Sequence, residues 1–576
     1  MTDISLRLAQ TELFKTPISN LSEDEQLILG YEHARASAQE FGELAILSVA
    51  CRLTIEDIIH LTPKFWDYHQ QLIHTVAMPA FVLVTIQYNL VAGTIGRYIT
   101  KRPDLWGLLD SIVKFEVSAQ FLLTEIGHGL DAKNLETTAT LLPDGGFDLH
   151  SPTMGAAKFM PPTTPISNFP KVAVVFARLI VSGDDHGIRP FIVWLNDGNE
   201  MSKGVTSRRL PNRAGSSPLD HSVTTFDHVK LPASALLGSI KKPKNMRDQF
   251  LYLIQRVAVG TLALSTVLIP VMKRAVYVAG KYSIKRSIQG NNKNAELTPI
   301  ISFRTQQRPI LHTLAQIAVF EPLVQVAIET FMNSVTEPAI QSAIATIVKA
   351  VLVSSSQRSL FELAERCGAQ GLFGHNHIIQ NQLEARGISI AEGDIQVLSI
   401  RLGSELLLGR YEISPAHDET SLLARHEAGL FEECRMAFKD FKGHRNEAFN
   451  NAILPRCFPL VEAIGHRMAF EAASKAGIDP DLLALYEAGV ILQDSSWYVQ
   501  HAGLTREEQF ERESRALSAC LPKLEELLHG TGAKEFVTAP ILSDEAWAEF
   551  LSELKTFEPA SGWSTFVPRL PLRSML

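Results

Sequence analysis

Ala391-Glu392-Gly393-Asp394-Ile395-Gln396-Val397-Leu398 sets a carboxylate beside a glycine turn, just ahead of the largely apolar run Val397 to Leu408, which has helical character. Cys367-Gly368-Ala369-Gln370-Gly371-Leu372 stands shortly before it. A buried Glu392 at such a turn can act as a general base, its proton affinity tuned by burial and neighbouring dipoles. The plainer reading is an acidic helix N-terminus, where Glu and Asp suit the macrodipole. Asp394 likewise reads either as a partner for a cofactor amide or as a helix cap.

The surrounding chain bounds these readings. It has 576 residues, too many for one hydrophobic core, and is 46% hydrophobic and 20% charged, as expected of a soluble multidomain protein. A formal net charge of -8 argues against general nucleic-acid binding. Cys51, Cys367, Cys434, Cys457 and Cys520 are far apart, without a CxxC, which suggests free thiols in a reducing compartment. His375 and His377 have no carboxylate ligand pattern beside them, so no metal site is expected there. The N-terminus carries charge early and lacks an apolar signal core. Val257 to Met272 is short for a membrane span and contains Pro270; Val76 to Gly96 is interrupted by Thr85, Gln87, Asn89 and Thr94. Both are expected to be core helices rather than membrane spans.

Residues 1–118 read as an N-terminal helical domain, in which Ser22 and Glu25 have capping-box spacing and Leu44, Leu47 and Cys51 share a helical face. Residues 119–238 read as a middle β domain. Thr137 to Leu141, the turn Pro143-Asp144-Gly145-Gly146 and Phe147 to Leu149 make strand, turn, strand. Val172 to Ala177 and Phe191 to Leu195 are further strands around Gly183-Asp184-Asp185. Residues 239–411 return to helices, broken by the loop Gly290 to Asn294, with Pro309, Pro322 and Pro338 near helix starts or kinks. Residues 412–576 form another helical block and a Pro- and Ser-rich tail.

Within this frame, Leu123-Thr124-Glu125-Ile126-Gly127-His128-Gly129 marks the passage from helix to strand. Gly127 permits close backbone approach, and Thr124 offers a hydroxyl and an amide to a polar ring edge; a plain turn-rich loop has the same composition. Lys158-Phe159-Met160-Pro161-Pro162 offers an aromatic to a flat cofactor, or is a Pro-rich connection. Arg286, followed by Phe303-Arg304-Thr305-Gln306-Gln307, can hold a pyrophosphate, or belongs to a solvated basic helix face.

The order and spacing of these segments, from about Asp104 to His501, resemble the acyl-CoA dehydrogenase/acyl-CoA oxidase superfamily. Leu123 to Gly129 with Leu135 to Thr140, and Arg456-Cys457-Phe458-Pro459-Leu460-Val461-Glu462-Ala463-Ile464-Gly465-His466-Arg467, resemble the oxidase branch with its extra C-terminal helical domain. The resemblance implies a mainly α fold with a middle β-barrel-like domain, a four-helix bundle and the extra helical domain. It implies FAD between the β domain and the bundle of a homodimer, acyl-CoA as substrate and molecular oxygen as acceptor. In that likeness Glu392 matches the catalytic base, Thr124 a flavin contact, Arg286 the pyrophosphate Arg reaching from the partner subunit, and Gly368 and Gly371 the adenine-side loop. Gly127, Gln306 and Asp394 are the remaining cofactor candidates. The expected reaction is α,β-dehydrogenation to a trans-2-enoyl-CoA with release of H2O2, in fatty-acid β-oxidation or a specialised biosynthetic route. Ser574-Met575-Leu576 is close to the Ser-Lys-Leu peroxisomal address, with Met575 where a basic residue is usual, and points to a peroxisomal rather than cytoplasmic location.

The chain also departs from the family pattern. Phe159-Met160-Pro161-Pro162 replaces the usual tryptophan pair with Pro-Gly, Gly368-Ala369-Gln370-Gly371-Leu372 replaces Gly-Gly-His-Gly-Tyr, and Ile395 replaces an Asn. These changes keep open a dehydrogenase using another electron acceptor, and a flavin- or acyl-CoA-binding partner protein without turnover.

Overall fold

The computed structural model describes residues 2–16, 21–42, 53–289, 296–333, 335–438 and 446–557. The expected helical face with Leu44, Leu47 and Cys51, the loop Gly290 to Asn294 and the terminal Ser574-Met575-Leu576 lie outside the described residues.

Helices come first. α1 (Glu23–Gly42) opens on the expected capping box, with Ser22 N donating to Glu25 Oε2 at 2.8 Å and Glu25 N to Ser22 Oγ at 3.3 Å. α2 (Met78–Gly96) starts with Pro79 in its first turn, where a missing N–H costs nothing. Its middle, Ile86–Ala92, widens into a π-helical segment, a distortion frequently kept for a functional site. α3 (Trp106–Val113) leads to the first strand.

Nine strands follow: β1 (Ser118–Leu122), β2 (Thr138–Leu141), β3 (Phe147–His150), β4 (Lys158–Pro162), β5 (Lys171–Val181), β6 (Asp184–Asn196), β7 (Val205–Arg209), β8 (His221–Phe226) and β9 (Val229–Leu231). The long β5 organises them. It pairs antiparallel with β6 along one edge, and in parallel with β1 and then β2 along the other, Ser118 opposite Lys171 and Thr138 opposite Arg178. β3 and β9 extend this sheet, while β4, β8 and β7 form a second one. The alternative of a Pro-rich connection at Lys158 to Pro162 gives way to strand β4, whose prolines fall at the end of its pairing with β8.

The bundle follows: α4 (Met246–Leu253), α5 (Gln255–Thr266), α6 (Leu268–Lys285), α7 (Arg304–Met332) and α8 (Pro338–Arg366). A small hairpin that the helical reading missed, β10 (Ser287–Gln289) with β11 (Leu297–Pro299), sits between α6 and α7. Its strands are too short for period-two alternation to show. Pro338 occupies the first turn of α8, but Pro309 and Pro322 lie inside α7, which continues through both. Pro309 is buried there, so tertiary packing outweighs the loss of about 3 kcal/mol that an interior proline brings. After α9 (Ile378–Ala385) and α10 (Ile395–Leu407), helices α11 (Leu422–Phe438), α12 (Leu454–Lys475), α13 (Pro480–Gln493) and α14 (Arg506–Cys520) cover the bundle, α12 and α13 packing on α7.

Among the described residues four helical stretches, Met78–Gly96, Met246–Lys285, Arg304–Met332 and Pro338–Arg366, are long and apolar enough to cross a membrane, and most of each apolar window is buried within the protein. Cys367, Cys434, Cys457 and Cys520 are free and buried.

Candidate active site

The Glu392 turn is built from strained backbone held on several sides. Glu392 has φ +53° and Gly393 φ +104°, two successive left-handed residues of which only the second is a glycine. A non-glycine residue in that region persists only where its surroundings over-determine it. Lys349, on α8, donates from Nζ to the carbonyls of Ala391 and Gly393, each at 2.6 Å, bracketing Glu392. Thr261, on α5, donates from Oγ1 to the Glu392 carbonyl at 2.7 Å. Asp394 caps α10, its Oδ1 accepting from Val397 N at 3.1 Å, so the helix-cap alternative is the arrangement found.

The carboxylate itself faces α5 and the π segment of α2. Glu392 Oε2 accepts from Asn89 Nδ2 at 3.2 Å, and a Cβ on Gly260 would fall 1.2 Å from the same oxygen. Asn89 is fixed in turn by Arg256: Asn89 Nδ2 donates to the Arg256 carbonyl at 3.0 Å, and Arg256 Nε donates to the Asn89 carbonyl at 2.8 Å. Burial pushes the Glu392 carboxyl up to about 8, against the opposing pull of Lys349, Arg256 and the Asn89 amide. The residue retains part of its surface. A proton affinity near neutrality suits it to general-base work.

A second grouping lies at one end of the bundle. Gln306 Nε2 donates to Ser283 Oγ and to the Arg366 carbonyl, both at 2.8 Å, tying α6, α7 and α8 together. That places Arg286, three residues beyond Ser283, near the same end as Gly368 and Gly371, which follow Arg366. Both amide hydrogens of Gln306 are spent within the protein, so only its Oε1 stays open to a ligand. Arg286 is exposed, and its backbone carbonyl accepts from Ile300 N at 2.8 Å. Gly371 approaches α8 so closely that a Cβ would fall 1.9 Å from the Ala364 carbonyl.

A third grouping is the loop after β1. Glu125 and Lys158 form a buried ion pair, Oε1 to Nζ 2.9 Å, and Glu125 also accepts from Glu136 N, Thr137 N and Thr137 Oγ1. Lys158 also donates to the Phe176 carbonyl at 2.7 Å. This knot fastens the Thr124–Gly127 loop to β4: Thr124 O accepts from Phe159 N at 3.0 Å, and Gly127 N donates to the Gly155 carbonyl at 2.9 Å. A Cβ on Gly127 would meet that carbonyl at 3.2 Å.

These residues fit a dinucleotide of the FAD kind. Around the Gly368–Gly371 loop, Arg366 Nε, His375 Nε2 and Asn376 Oδ1 are buried without a hydrogen-bond partner, as are Asn89 Oδ1 and Gln120 Oε1 nearer the β domain. Buried polar atoms of this sort call for a polar ligand or water. His377 is occupied, its Nε2 accepting from Thr538 N at 3.1 Å.

Asn89, Arg256, Gly260, Thr261 and Lys349 are absent from the candidates read from the sequence. Two of them left a trace: Lys349 is a lone charge in the run Ala343 to Val353, and Asn89 interrupts the apolar run of α2.

Comparison with known proteins agrees with this geometry. A family model described as the acyl-CoA oxidase C-alpha1 domain matches residues 260–407, which include Gly260, Lys349 and Glu392. Peroxisomal acyl-coenzyme A oxidase 1 of Arabidopsis thaliana is 29% identical over 263 residues, 43% of this chain and 38% of the relative. The chain thus matches well under half the length of that curated relative. The solved structure of acyl-CoA oxidase 3 from Yarrowia lipolytica superposes with a TM-score of 0.79 at 16% identity, covering 96% of this chain and 88% of the other. Acyl-CoA oxidase-1 of Caenorhabditis elegans, solved with FAD and ATP, gives 0.77 at 15% identity, covering 96% and 90%. At such identities the structural likeness establishes the fold, while the family model and the curated relative carry the sequence relationship. Residues 260–407 match the acyl-CoA oxidase C-alpha1 domain, and the chain as a whole has the fold of the solved acyl-CoA oxidases.

Proposed function

We propose that the protein is an FAD-dependent acyl-CoA oxidase that converts an acyl-CoA thioester to its trans-2-enoyl form, with electrons passing to O2 to give H2O2. The observation that carries this reading is Glu392: a carboxylate with its proton affinity raised to about 8, seated on Gly260 and aimed by Asn89. FAD bound here supplies the hydride acceptor for the β-carbon and the route of the electrons to oxygen. The chain's part is to remove the α-proton. Glu392 accepts it, and its burial makes it a stronger base than a solvated carboxylate. Lys349 and Thr261 keep the turn from relaxing when the proton arrives. Thr124, Gly127, Arg286, Gln306, Gly368 and Gly371 are proposed to hold the cofactor, with Asp394 serving the turn as its helix cap.

The same reading covers the assembly, the division into four domains and the location. Leu297, Leu372 and Phe373 are exposed near the end of the bundle that carries Arg286, which supports burial of this end against a second copy in a homodimer. The long apolar helices are proposed as core helices rather than membrane spans. The name of the Arabidopsis relative supports a peroxisomal location, which imaging of the tagged full chain tests. The deciding experiment is purification, a visible spectrum and titration with acyl-CoAs of several chain lengths under air and under argon. A flavin spectrum bleached by substrate, with peroxide released under air, is expected. Substrate-reduced flavin that persists in air would assign a dehydrogenase instead, and binding without bleaching would remove turnover altogether.

A further inference from the structure

At the β9 edge of the six-stranded sheet, the face turned away from the core carries a cluster of side chains that the Glu392 site does not use. β3 and β9 pair antiparallel, Asp148 opposite Lys230 and Leu149 opposite Val229, so His150 and His228 fall opposite each other one step further along. Alternation along β3 buries Phe147 and Leu149 and leaves Asp148 and His150 on the other face. The rings of His150 and His228 stack, with centroids 4.1 Å apart and planes 10° from parallel. Asp227 joins them: one ligand-type atom from each of His150, Asp227 and His228 lies within 4.8 Å of the other two. His150 and His228 are 78 residues apart in the chain, so no ligand spacing in the sequence announces the group.

Each of the three offers an unclaimed atom. His150 Nδ1 is buried without a hydrogen-bond partner, and a buried imidazole nitrogen in that condition calls for a ligand or water. His228 Nδ1 donates to Asp148 Oδ2 at 2.8 Å, which fixes the ring and leaves Nε2 open. A carboxylate behind a histidine is the arrangement that orients a metal-binding imidazole. The Asp227 carboxylate makes no hydrogen bond or ion pair with the described residues. The backbone beneath is tied down on both sides of the group. Asp227 N donates to the Gly204 carbonyl and Ser151 N to the Phe226 carbonyl, each at 2.8 Å. Lys230, whose charge opposes a cation, is drawn to Asp148 Oδ1 at 3.2 Å.

We propose that His150, Asp227 and His228 bind a divalent transition-metal ion of the zinc class, which ties the turn between β8 and β9 to β3. Two imidazoles and one carboxylate suit zinc and its neighbours in the series, whereas magnesium and calcium take oxygen ligands. Zinc lies about 2.0–2.1 Å from nitrogen, so tetrahedral ligation asks for ligand atoms roughly 3.3 Å apart. Asp227 and His228 are exposed and His150 partly so, and side-chain rotations out of the face-to-face stack close that gap. Water completes the fourth position. The strand held in this way is β9, three residues long at the edge of the sheet. None of these residues belongs to the Glu392 turn, the Gln306 grouping or the Thr124 loop, so the ion serves the β domain whichever reaction the chain carries out.

The test is a metal titration of the full-length protein, stripped with a chelator that is then removed. Zinc chloride is titrated calorimetrically into the wild type and into Asp227→Asn, Asp148→Asn and His150→Ala/His228→Ala. The wild type is expected to bind one more zinc ion per chain than the double variant, at micromolar concentration or below. Asp227→Asn has no bonded side-chain partner to lose and keeps the fold, and it should bind this ion at least tenfold more weakly. Asp148→Asn should lose about 10–100-fold, the usual cost of removing the partner that orients a ligand. Zinc should raise the unfolding temperature of the wild type and leave that of the double variant unmoved. Equal zinc stoichiometry and affinity in the wild type and Asp227→Asn would overturn the assignment, as would a wild type that binds no zinc. Displacement of the zinc by an equal concentration of magnesium or calcium would overturn the class of metal.

Discussion

The carboxylate of Glu392 occupies the space that a side chain at Gly260 would need: a Cβ there would lie 1.2 Å from Oε2 and 2.5 Å from Asn89 Nδ2. In the middle of a helix glycine is a local liability of roughly 0.8–1.0 kcal/mol relative to alanine. Here it opens the seat for the Glu392 carboxylate. Gly260→Ala is therefore expected to improve the local helix and still destroy the site, because the carboxylate must swing out of contact with Asn89. The expected outcome is a flavin-loaded, folded protein with turnover reduced by about 10² or more, as for loss of a positioned general base. Steady-state kinetics beside a visible spectrum check it; near-normal turnover would show that Glu392 works from another position.

Glu392→Gln keeps the shape and removes the proton acceptor. Turnover is expected to fall to background while the flavin spectrum and coenzyme A affinity persist. The wild-type pH profile follows from the same group. A base held at about 8 is mostly protonated at pH 7, so kcat/KM should rise through an inflection near pH 8 and level above it. Linkage gives the sign for stability. The folded carboxyl is raised above its unfolded value, so its contribution is intact at low pH and is lost as pH rises toward and through about 8. Glu392→Gln should therefore gain thermal stability over the wild type at pH 9 and little at pH 4, which scanning calorimetry at the two pH values reads directly.

Lys349 acts on the Glu392 carboxyl from the backbone of its turn. Its ammonium satisfies the Ala391 and Gly393 carbonyls and, with Arg256, opposes the burial that keeps Glu392 protonated. Lys349→Met leaves two carbonyls unpaired, at about 1–3 kcal/mol each, and removes the cation with the stronger pull on the Glu392 carboxyl. Lower kcat, an inflection moved to higher pH and a lower unfolding temperature are expected together. Lys349→Arg should restore the inflection more fully than the stability, because the charge returns while the geometry of the two bonds does not. An unmoved pH profile in Lys349→Met would reduce Lys349 to a purely structural role.

Much of this arrangement was readable before the structure, and the limits have physical causes. Strand β5 with its turn at Gly183, the hairpin of β2 and β3, and the start of α1 were legible because alternation, turn residues and caps are local signals. The turn at Glu392 was legible because glycine and Asp394 mark it. Its partners were not, since Asn89, Arg256 and Lys349 lie from 43 to 303 residues away in sequence and meet it only through tertiary packing. The hairpin β10–β11 escaped because three-residue strands carry no period. Gln306 shows a second limit: its place near Arg286 was legible, whereas the hydrogen bonds of its amide nitrogen to Ser283 and the Arg366 carbonyl come only from the meeting of three helices.

The Glu125–Lys158 pair offers a test of the loop that carries Thr124 and Gly127. Both side chains are fully buried, so removing one charge strands the other. Lys158→Met is expected to cost about 3–5 kcal/mol, the usual loss when a buried pair is broken from one side. Burial works to raise the Glu125 carboxyl, but Lys158 and the hydrogen bonds from Thr137 and Glu136 hold it below the ordinary range. The wild-type protein therefore draws stability from this group at neutral pH and loses it as pH falls through the depressed value. In Lys158→Met burial acts without the lysine, so Glu125 takes up its proton at higher pH and the deficit against wild type should shrink from pH 7 to pH 4. Chemical unfolding at the two values measures this. A companion Glu125→Gln/Lys158→Met protein separates structure from charge: an uncharged, shape-matched pair should recover most of the lost stability, since two buried charges are costly to desolvate in the first place. If the double variant also regains the flavin content lost from the single one, the knot serves to place the loop. Recovery of stability without flavin would instead assign the lysine charge a direct part in holding the cofactor.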